Sequence, residues 1–307
     1  MDGRTLPGII TQTPGGVGRN IADALGKLYR TPPLFLSAVG SDQFGTFLLE
    51  SVKHVDSSGV AVRHDNRTAC YSALIDKFGD AKLGVGDMQI HSSISEEQVE
   101  KHKSVLVNSP MIIMDGNIPQ TIWFEPTDVL KSTKPFQSNF WKSMTCISPN
   151  INELVAMANA IGVTLKDDID YSDTNILLKQ LSYLAAPLAE HIPLIMVTMG
   201  KRGLMMVSRS KADEVVIDNV RKSKSEIFMR HYPSKRLTNI VNSVGAGDST
   251  AAGFISGMLQ GFTETQCVNL GLRAAVEVLY TNMAVPKKFE TSFTLKTTTD
   301  FINIPVS

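Results

Sequence analysis

The sequence predicts an α/β protein in three layers, a mostly parallel sheet with helices on both faces, and a small β element standing off it. Three observations carry that prediction. Short apolar runs at 34–39, 111–114 and 194–198 are each flanked by Gly, Pro or Asp, as buried strands are. Between them lie segments of helical period: Val17, Ile21, Leu25 and Leu28 recur at spacings of four and three, as do Leu177, Leu181, Leu184 and Leu188, so each set lines one helical face. Strands alternating with helices imply parallel neighbours buried on both sides. Residues 69–86 break this rhythm, reading as two short strands around Gly79-Asp80 with no crossover helix, a hairpin suited to a lid or a dimer flap.

In chain order, Gly15-Gly16 is a turn that opens the first helix, and the 34–39 strand leads into Val39-Gly40-Ser41-Asp42. After the hairpin, Ser95-Glu96-Glu97-Gln98 has the form of a capping box and starts a helix running to about Val107. The 111–114 strand ends at Asp115-Gly116-Asn117, and a further apolar strand ends at Pro149, where Asn150 and Glu153 stand one helical turn apart. The 194–198 strand enters a turn at Gly200 to Gly203 and continues into Leu204 to Val207. Residues 219–236 hold Arg221, Lys222, Lys224, Arg230, Lys235 and Arg236, which suits either a phosphate-steering arm or a solvated surface hairpin. A β-type run ends at Asn242, Gly245-Ala246-Gly247 make a tight turn, and Ala251, Ile255, Met258 and Leu259 supply a helical stripe.

Composition narrows the function. The chain has 307 residues, enough for one large or two small domains. Thirty Lys plus Arg balance thirty Asp plus Glu with no long block of one sign, so charge makes no case for nucleic acid or an anionic membrane, and a small-molecule partner is expected. Cys70, Cys146 and Cys267 are odd in number and far apart, which fits reduced thiols in a cytoplasmic protein, each with a packing role. The first residues have no apolar signal core, and no apolar run approaches the ~18 residues of a membrane span. The six histidines form no H-x-x-x-H pair and read as surface residues; there is no G-x-S-x-G elbow and no P-loop.

The chemistry concentrates at NSVGAGDST, 242–250. A glycine turn feeding a helix N-terminus presents unpaired N–H groups and the positive end of the helix dipole, and missing side chains admit an anion closely, so phosphate is the natural guest. Asp248 beside that anion is unwelcome unless it works, for instance by accepting a proton from an attacking hydroxyl. Its other reading is an ordinary first-turn acid.

Five motifs in order, Gly15-Gly16-Val17-Gly18-Arg19-Asn20, Val39-Gly40-Ser41-Asp42-Gln43-Phe44-Gly45, Pro149-Asn150-Ile151-Asn152-Glu153, Thr198-Met199-Gly200-Lys201-Arg202-Gly203 and Gly245-Ala246-Gly247-Asp248, resemble those of the ribokinase-like carbohydrate kinases over residues 8–285. Within that family, TPGGVGRNIADAL at 13–25, Arg67-Thr68-Ala69, Gly86-Asp87-Met88 and Asp115-Gly116-Asn117-Ile118-Pro119 resemble the pseudouridine kinase branch. The resemblance implies an ATP-dependent phosphotransferase acting on an alcohol, the 5′-hydroxyl of pseudouridine first, with other sugars or nucleosides as alternatives. It implies Asp248 as the base, the N–H groups of Gly245, Ala246 and Gly247 as an anion hole, Gly15, Gly16, Asn20, Asp115 and Asn117 as substrate contacts, and Thr198, Gly200 and Gly203 near the nucleotide. It also implies Mg2+ ordered by Asn150 and Glu153, mostly through water. Helix capping explains Asn150 and Glu153 equally well, a plain hairpin turn explains Gly200 and Gly203, and Asp42 suits a loop-holding role.

On the same basis the core is 15–65 plus 91–307, binding nucleotide and substrate. The lid is 1–14 plus 66–90, through which a homodimer is possible. Two departures stand out. The family opens with an apolar strand carrying a sugar-gripping Asp, and residues 1–12 leave no room for it, so the first strand is expected to be missing. That admits a second reading, a shortened relative that holds nucleotide without catalysis. Asn242 stands where many relatives carry an Asp that helps hold a monovalent cation, so dependence on such a cation is not expected.

Overall fold

The computed structural model describes residues 8–75, 81–116, 123–220, 226–290 and 297–305. The regular elements are α1 (Val17–Leu28), β1 (Ser37–Gly40), α2 (Gln43–Ser51), β2 (Val60–Arg63), β3 (Cys70–Ile75), β4 (Ala81–Asp87), α3 (Glu96–Glu100), α4 (Lys103–Asn108), β5 (Ile113–Asp115), β6 (Trp123–Glu125) and α5 (Val129–Ser132). There follow β7 (Cys146–Ile147), α6 (Ile151–Ala160), α7 (Thr174–Ala189), β8 (Leu194–Thr198), β9 (Leu204–Ser208), α8 (Val216–Asn219), β10 (Phe228–Tyr232), α9 (Ala246–Leu259), α10 (Glu264–Leu279) and β11 (Ile302–Ile304).

Seven strands form the central sheet in the order β11-β10-β9-β8-β7-β6-β5. Pairs from β5 to β8 are parallel, and those from β8 to β11 antiparallel. Connection length explains the change: the chain returns from β6 to β7 through α5, and from β7 to β8 through α6 and α7, whereas residues 199–203 give only a tight turn between β8 and β9. Along the strands side chains alternate between two cores. Trp123, Cys146, Leu194, Met196 and Met206 face the α1, α9 and α10 side, and Phe124, Ile147, Ile195, Val197 and Val207 face α6 and α7. Leu177, Leu181, Leu184 and Leu188 of α7 are fully buried, and at about 1.5–3 kcal/mol per buried leucine this one face holds the helix to the sheet. The three layers match the sequence expectation.

Two small sheets stand apart: the parallel pair β1-β2 and the antiparallel hairpin β3-β4. The hairpin agrees with the 69–86 reading, while its expected turn at Gly79-Asp80 lies outside the described residues. One face of it exposes Leu74, Leu83 and Val85. Residues 8–16 form no strand, and β5 has no strand on its outer side among the described residues.

Four expectations need correction. Regular pairing of the first strand begins only at Ser37, after Pro32 and Pro33, with a single bridge from Leu34 to Asp56. The helix opened by Ser95, whose side chain accepts from Gln98 N at 3.3 Å, is two short helices and not one. The buried Gln98 amide donates to Ser37 O and Gly59 O at 2.7 and 2.8 Å, pinning α3 to β1-β2, and His102 Nδ1 lies 3.0 Å from Gln98 O at the break. The basic segment is not solvated throughout: Arg230 is buried, whereas Lys235 and Arg236 are exposed. β10 is an inner strand, and its Arg230, 2% exposed, donates to both Glu264 oxygens at 2.8 and 2.9 Å, with Tyr232 donating to the same carboxylate; burying the pair removes its charge from solvent. Arg221, Lys222 and Lys224 lie outside the described residues. His231 is buried, not at the surface, because β10 is covered by β9 and β11, and its Nε2 lies 2.7 Å from Arg202 O.

Candidate active site

The C-terminal ends of the parallel strands carry polar groups: Asp115 ends β5, Glu125 ends β6, Asn150 follows β7 and Thr198 ends β8. In open α/β sheets ligands bind outside this edge. α9 begins over it. Gly245, the N-cap, has φ 82, and a Cβ there would lie 2.2 Å from Ala284 O, so only glycine fits the turn. Gly247 faces open space. Ala246 N–H donates to Ser243 O at 3.3 Å, which occupies one of the three expected anion-hole donors within the turn, while Gly247 N–H has no backbone acceptor among the described residues. Asp248 is half-buried in the first turn, and Asn20 Nδ2 donates to its Oδ2 at 2.6 Å across 228 residues of sequence. Burial pushes the Asp248 carboxyl up to about 6, opposed by the Asn20 bond and the Arg19 charge and assisted by Asp115.

Asn20 comes from α1, whose N-cap Gly16 has φ 99. The turn is held by Asp115: Gly18 N–H donates to Asp115 Oδ2 at 3.0 Å, so Asp115 reaches the glycine turn. Asn20, Asp115 and Asp248 therefore meet, as the motifs suggested; Asn117 lies outside the described residues. Gly15 contributes its carbonyl, which accepts from Arg19 Nε at 2.9 Å.

Asn150 and Glu153 form a complete capping box. Glu153 N–H donates to Asn150 Oδ1 at 3.0 Å and Asn150 N–H to Glu153 Oε2 at 2.8 Å. Capping leaves Glu153 Oε1 unoccupied among the described bonds, and burial, with the charges of Asp128 and Asp248 adding to it, pushes Glu153 up to about 7 against the Asn150 hydrogen bond. Thr198 is bridged to Asn150, donating its N–H to Pro149 O at 2.9 Å, so the third and fourth motifs touch. Gly200 is open, whereas a Cβ at Gly203, φ 88, would lie 2.0 Å from Tyr232 O, a packing reason that the hairpin reading anticipates. Asn242 Oδ1 accepts from Val244 N–H at 3.0 Å and stabilises its own loop. Asp42 caps α2 and accepts from Thr68 N–H at 2.9 Å and Thr68 Oγ1 at 2.6 Å, bonds that hold its carboxyl below the usual range and tie the hairpin's root to the core.

Two residues escaped sequence reasoning. Glu125 is 6% exposed and accepts from Ser148 Oγ, which itself accepts from Trp123 Nε1 at 2.9 Å. Burial raises its pKa well above the carboxylate range, opposed by the Ser148 bond and assisted by Asp248 and Glu153. A signal existed: Glu125 ends an apolar run before Pro126 and stands in register with Asp115. Arg19 lies inside a quoted motif, but only the fold buries it beside Asn20.

The model for the pfkB family carbohydrate kinase matches residues 4–285. The chain is 25% identical over 342 residues to a pseudouridine kinase of Arabidopsis thaliana, covering 94% of this chain and 88% of that protein. It is 28% identical over 269 residues to a pseudouridine kinase of Escherichia coli strain K12, covering 85% and 78%. Arabidopsis thaliana ribokinase complexed with ribose and ATP superposes with a TM-score of 0.71 at 18% identity, over 96% of this chain and 91% of that one, a likeness of fold. No described helix is long and apolar enough to cross a membrane.

Proposed function

The chain belongs to the pfkB family of carbohydrate kinases, and from that premise we propose that it transfers the terminal phosphoryl group of ATP to the 5′-hydroxyl of pseudouridine. The family makes it a sugar or nucleoside kinase, a phosphotransferase acting on an alcohol. The finer choice of substrate is supported by the two pseudouridine kinase relatives, each matched over most of its length.

One observation carries the mechanism: Asp248, with Oδ2 held by Asn20 and Oδ1 free of any partner among the described residues, stands in the first turn of a helix that opens on a glycine turn. The substrate hydroxyl gives its proton to Oδ1 as it attacks, and the N–H groups of the Gly245-Ala246-Gly247 turn, Gly247 foremost, stabilise charge on the transferring group. With its carboxyl at about 6, Asp248 is a stronger base than an ordinary aspartate and is still ionised at pH 7. Asp115 and Asn20 are the proposed hydroxyl contacts, with Gly15 and Gly16 allowing close approach and Asn117 completing the set. Thr198, Gly200 and Gly203 line the nucleotide's path.

Asn150 and Glu153 are the proposed site of a divalent cation. Burial raises the proton affinity of Glu125, with Asp248 and Glu153 adding to it, and that of Glu153, with Asp128 and Asp248 adding to it; at Asp248 the charge of Asp115 adds to burial, and Asn20 and Arg19 oppose it. Glu153 with Asn150 would hold Mg2+, mostly through water, as suits a hard ion that keeps its hydration. When bound, the ion neutralises phosphate charge during transfer. Glu153→Gln keeps the cap, because the amide oxygen still accepts from Asn150 N–H, and it removes a carboxylate whose charge burial penalises above pH 7, so the melting temperature does not fall while the magnesium needed for half-maximal rate rises. A large stability loss with unchanged magnesium dependence would make the residue a cap and nothing more.

The β3-β4 hairpin is the proposed lid, with residues 66–90 and 1–14 as its sequence, over a core of 15–65 and 91–307. Its exposed Leu74, Leu83 and Val85 suit a second copy of this chain, which sedimentation velocity would reveal as a dimer.

The test is purified protein with ATP and magnesium against pseudouridine, uridine, adenosine, ribose and fructose, scored for phosphorylated product. Preferential conversion of pseudouridine supports the reading. Preference for another acceptor moves the specificity within the family, and nucleotide binding with no product from any acceptor favours the non-catalytic reading.

A further inference from the structure

Arg19 is 6% exposed, which for an arginine demands that its donors be met. They are. Nε donates to Gly15 O at 2.9 Å, one terminal nitrogen to Asp23 Oδ2 at 3.0 Å, and the other to Pro14 O at 3.1 Å and to the Asn20 side-chain oxygen. Asp23 is itself anchored by Lys27 Nζ at 2.6 Å and His54 Nε2 at 2.8 Å, and Lys27 reaches on to Pro286 O at 2.9 Å. The guanidinium is therefore clamped from α1, from the glycine turn before it and, through Asp23, from the loop that follows α2.

Asn20 lies between this guanidinium and Asp248. A guanidinium only donates and an ionised carboxylate only accepts, so an amide between them has one satisfied orientation, oxygen toward Arg19 and nitrogen toward Asp248. We propose that Arg19 is a positioning residue for phosphoryl transfer: it locks the Asn20 amide in that orientation, so that Asp248 Oδ2 stays bound and Oδ1 stays free to take the substrate proton. Without it the amide can turn its oxygen toward Asp248, where two acceptors repel and the carboxylate rotates away. Because Arg19 also holds the carbonyls of Pro14 and Gly15, the base and the proposed sugar-contacting turn are set by one side chain. The proposal rests on Asp248 as the base.

The experiment is a double-mutant cycle on the full chain, with kcat and the KM for ATP and for the acceptor measured for Arg19→Met, Asn20→Leu, the pair together and Asp248→Asn. Arg19→Met is expected to lower kcat by about 10²-fold, the loss that follows a small misplacement of a reacting group. The ATP KM should stay within about twofold, since ground-state nucleotide binding is untouched. If Arg19 sets the base through Asn20, the double variant keeps the kcat of Asn20→Leu alone, and the loosened glycine turn shows only in the acceptor KM. Losses that multiply overturn the proposal, because they show Arg19 acting by another route. Arg19→Lys guards against a folding failure: it leaves a cation beside Asp23, but one ammonium cannot span Asn20, Asp23 and two carbonyls. A folded Arg19→Lys at wild-type kcat, beside an inactive Asp248→Asn, overturns the role of Arg19 alone; an active Asp248→Asn overturns the reading beneath it.

Discussion

Asp248→Asn lowers kcat by about 10² to 10⁴, the range for a lost general base, while ATP binding survives because the glycine turn is untouched. The replacement amide oxygen still accepts from Asn20 Nδ2, so geometry is kept and only the proton acceptor goes. The same substitution should raise the melting temperature at pH 8. Folding lifts the Asp248 carboxyl from an ordinary value of about 3.9 to about 6, so between those values the folded state binds more protons than the unfolded one and stability falls as pH rises. Above pH 6 the wild type carries the full cost of a buried charge and the amide carries none. Toward pH 4 the two melting temperatures converge. In the wild type, kcat/KM should fall as pH drops below about 6, as Asp248 takes up its proton. Turnover near wild type, or a melting-temperature difference that does not depend on pH, removes Asp248 from this role.

Gly245→Ala is expected to do more damage than any other single methyl in the 245–247 turn. With φ at 82 the added side chain costs about 1–2 kcal/mol in backbone conformation alone, and its Cβ would lie 2.2 Å from Ala284 O, a backbone atom that cannot turn aside. The turn must shift, taking the Gly247 N–H and Asp248 with it. Turnover should fall by about 10²-fold or more, as when one donor to a developing charge is lost, with a lower melting temperature. Gly247→Ala separates fold from function. A Cβ there meets nothing within 4 Å, and φ is not in the left-handed region, so the fold should hold or gain slightly in helix propensity. Its methyl would stand at the mouth of the helix, where a phosphate must approach, and the ATP KM should rise. A Gly247→Ala protein with wild-type kinetics would place the phosphate elsewhere.

Much of this was legible in the chain itself. The stripe Val17, Ile21, Leu25, Leu28 is α1, and the stripe from Leu177 to Leu188 is α7. The capping box at Asn150 and the N-cap at Ser95 open helices where expected, and the glycine turn at 245–247 opens α9. These are local rules: a period of 3.6, a side chain within reach of its own helix terminus, a φ that only glycine adopts readily. Where such signals carry no contact across the sequence, reading stopped short. Residues 219–236 look like a solvated basic segment until β10 is seen between β9 and β11, with Arg230 buried against Glu264.

The three-layer α/β class, the order of the motifs and the residue types of the chemistry follow from near neighbours along the chain. Only the tertiary structure decided which groups meet. Asn20 touches Asp248 across 228 residues and Gly18 touches Asp115 across 97. Glu125, marked in the chain only as the end of an apolar run, lies within electrostatic reach of Glu153 and Asp248. Proton affinities depend on the same packing, since a carboxyl is pushed up by loss of water and by other acids, and both are set by what the fold places against it.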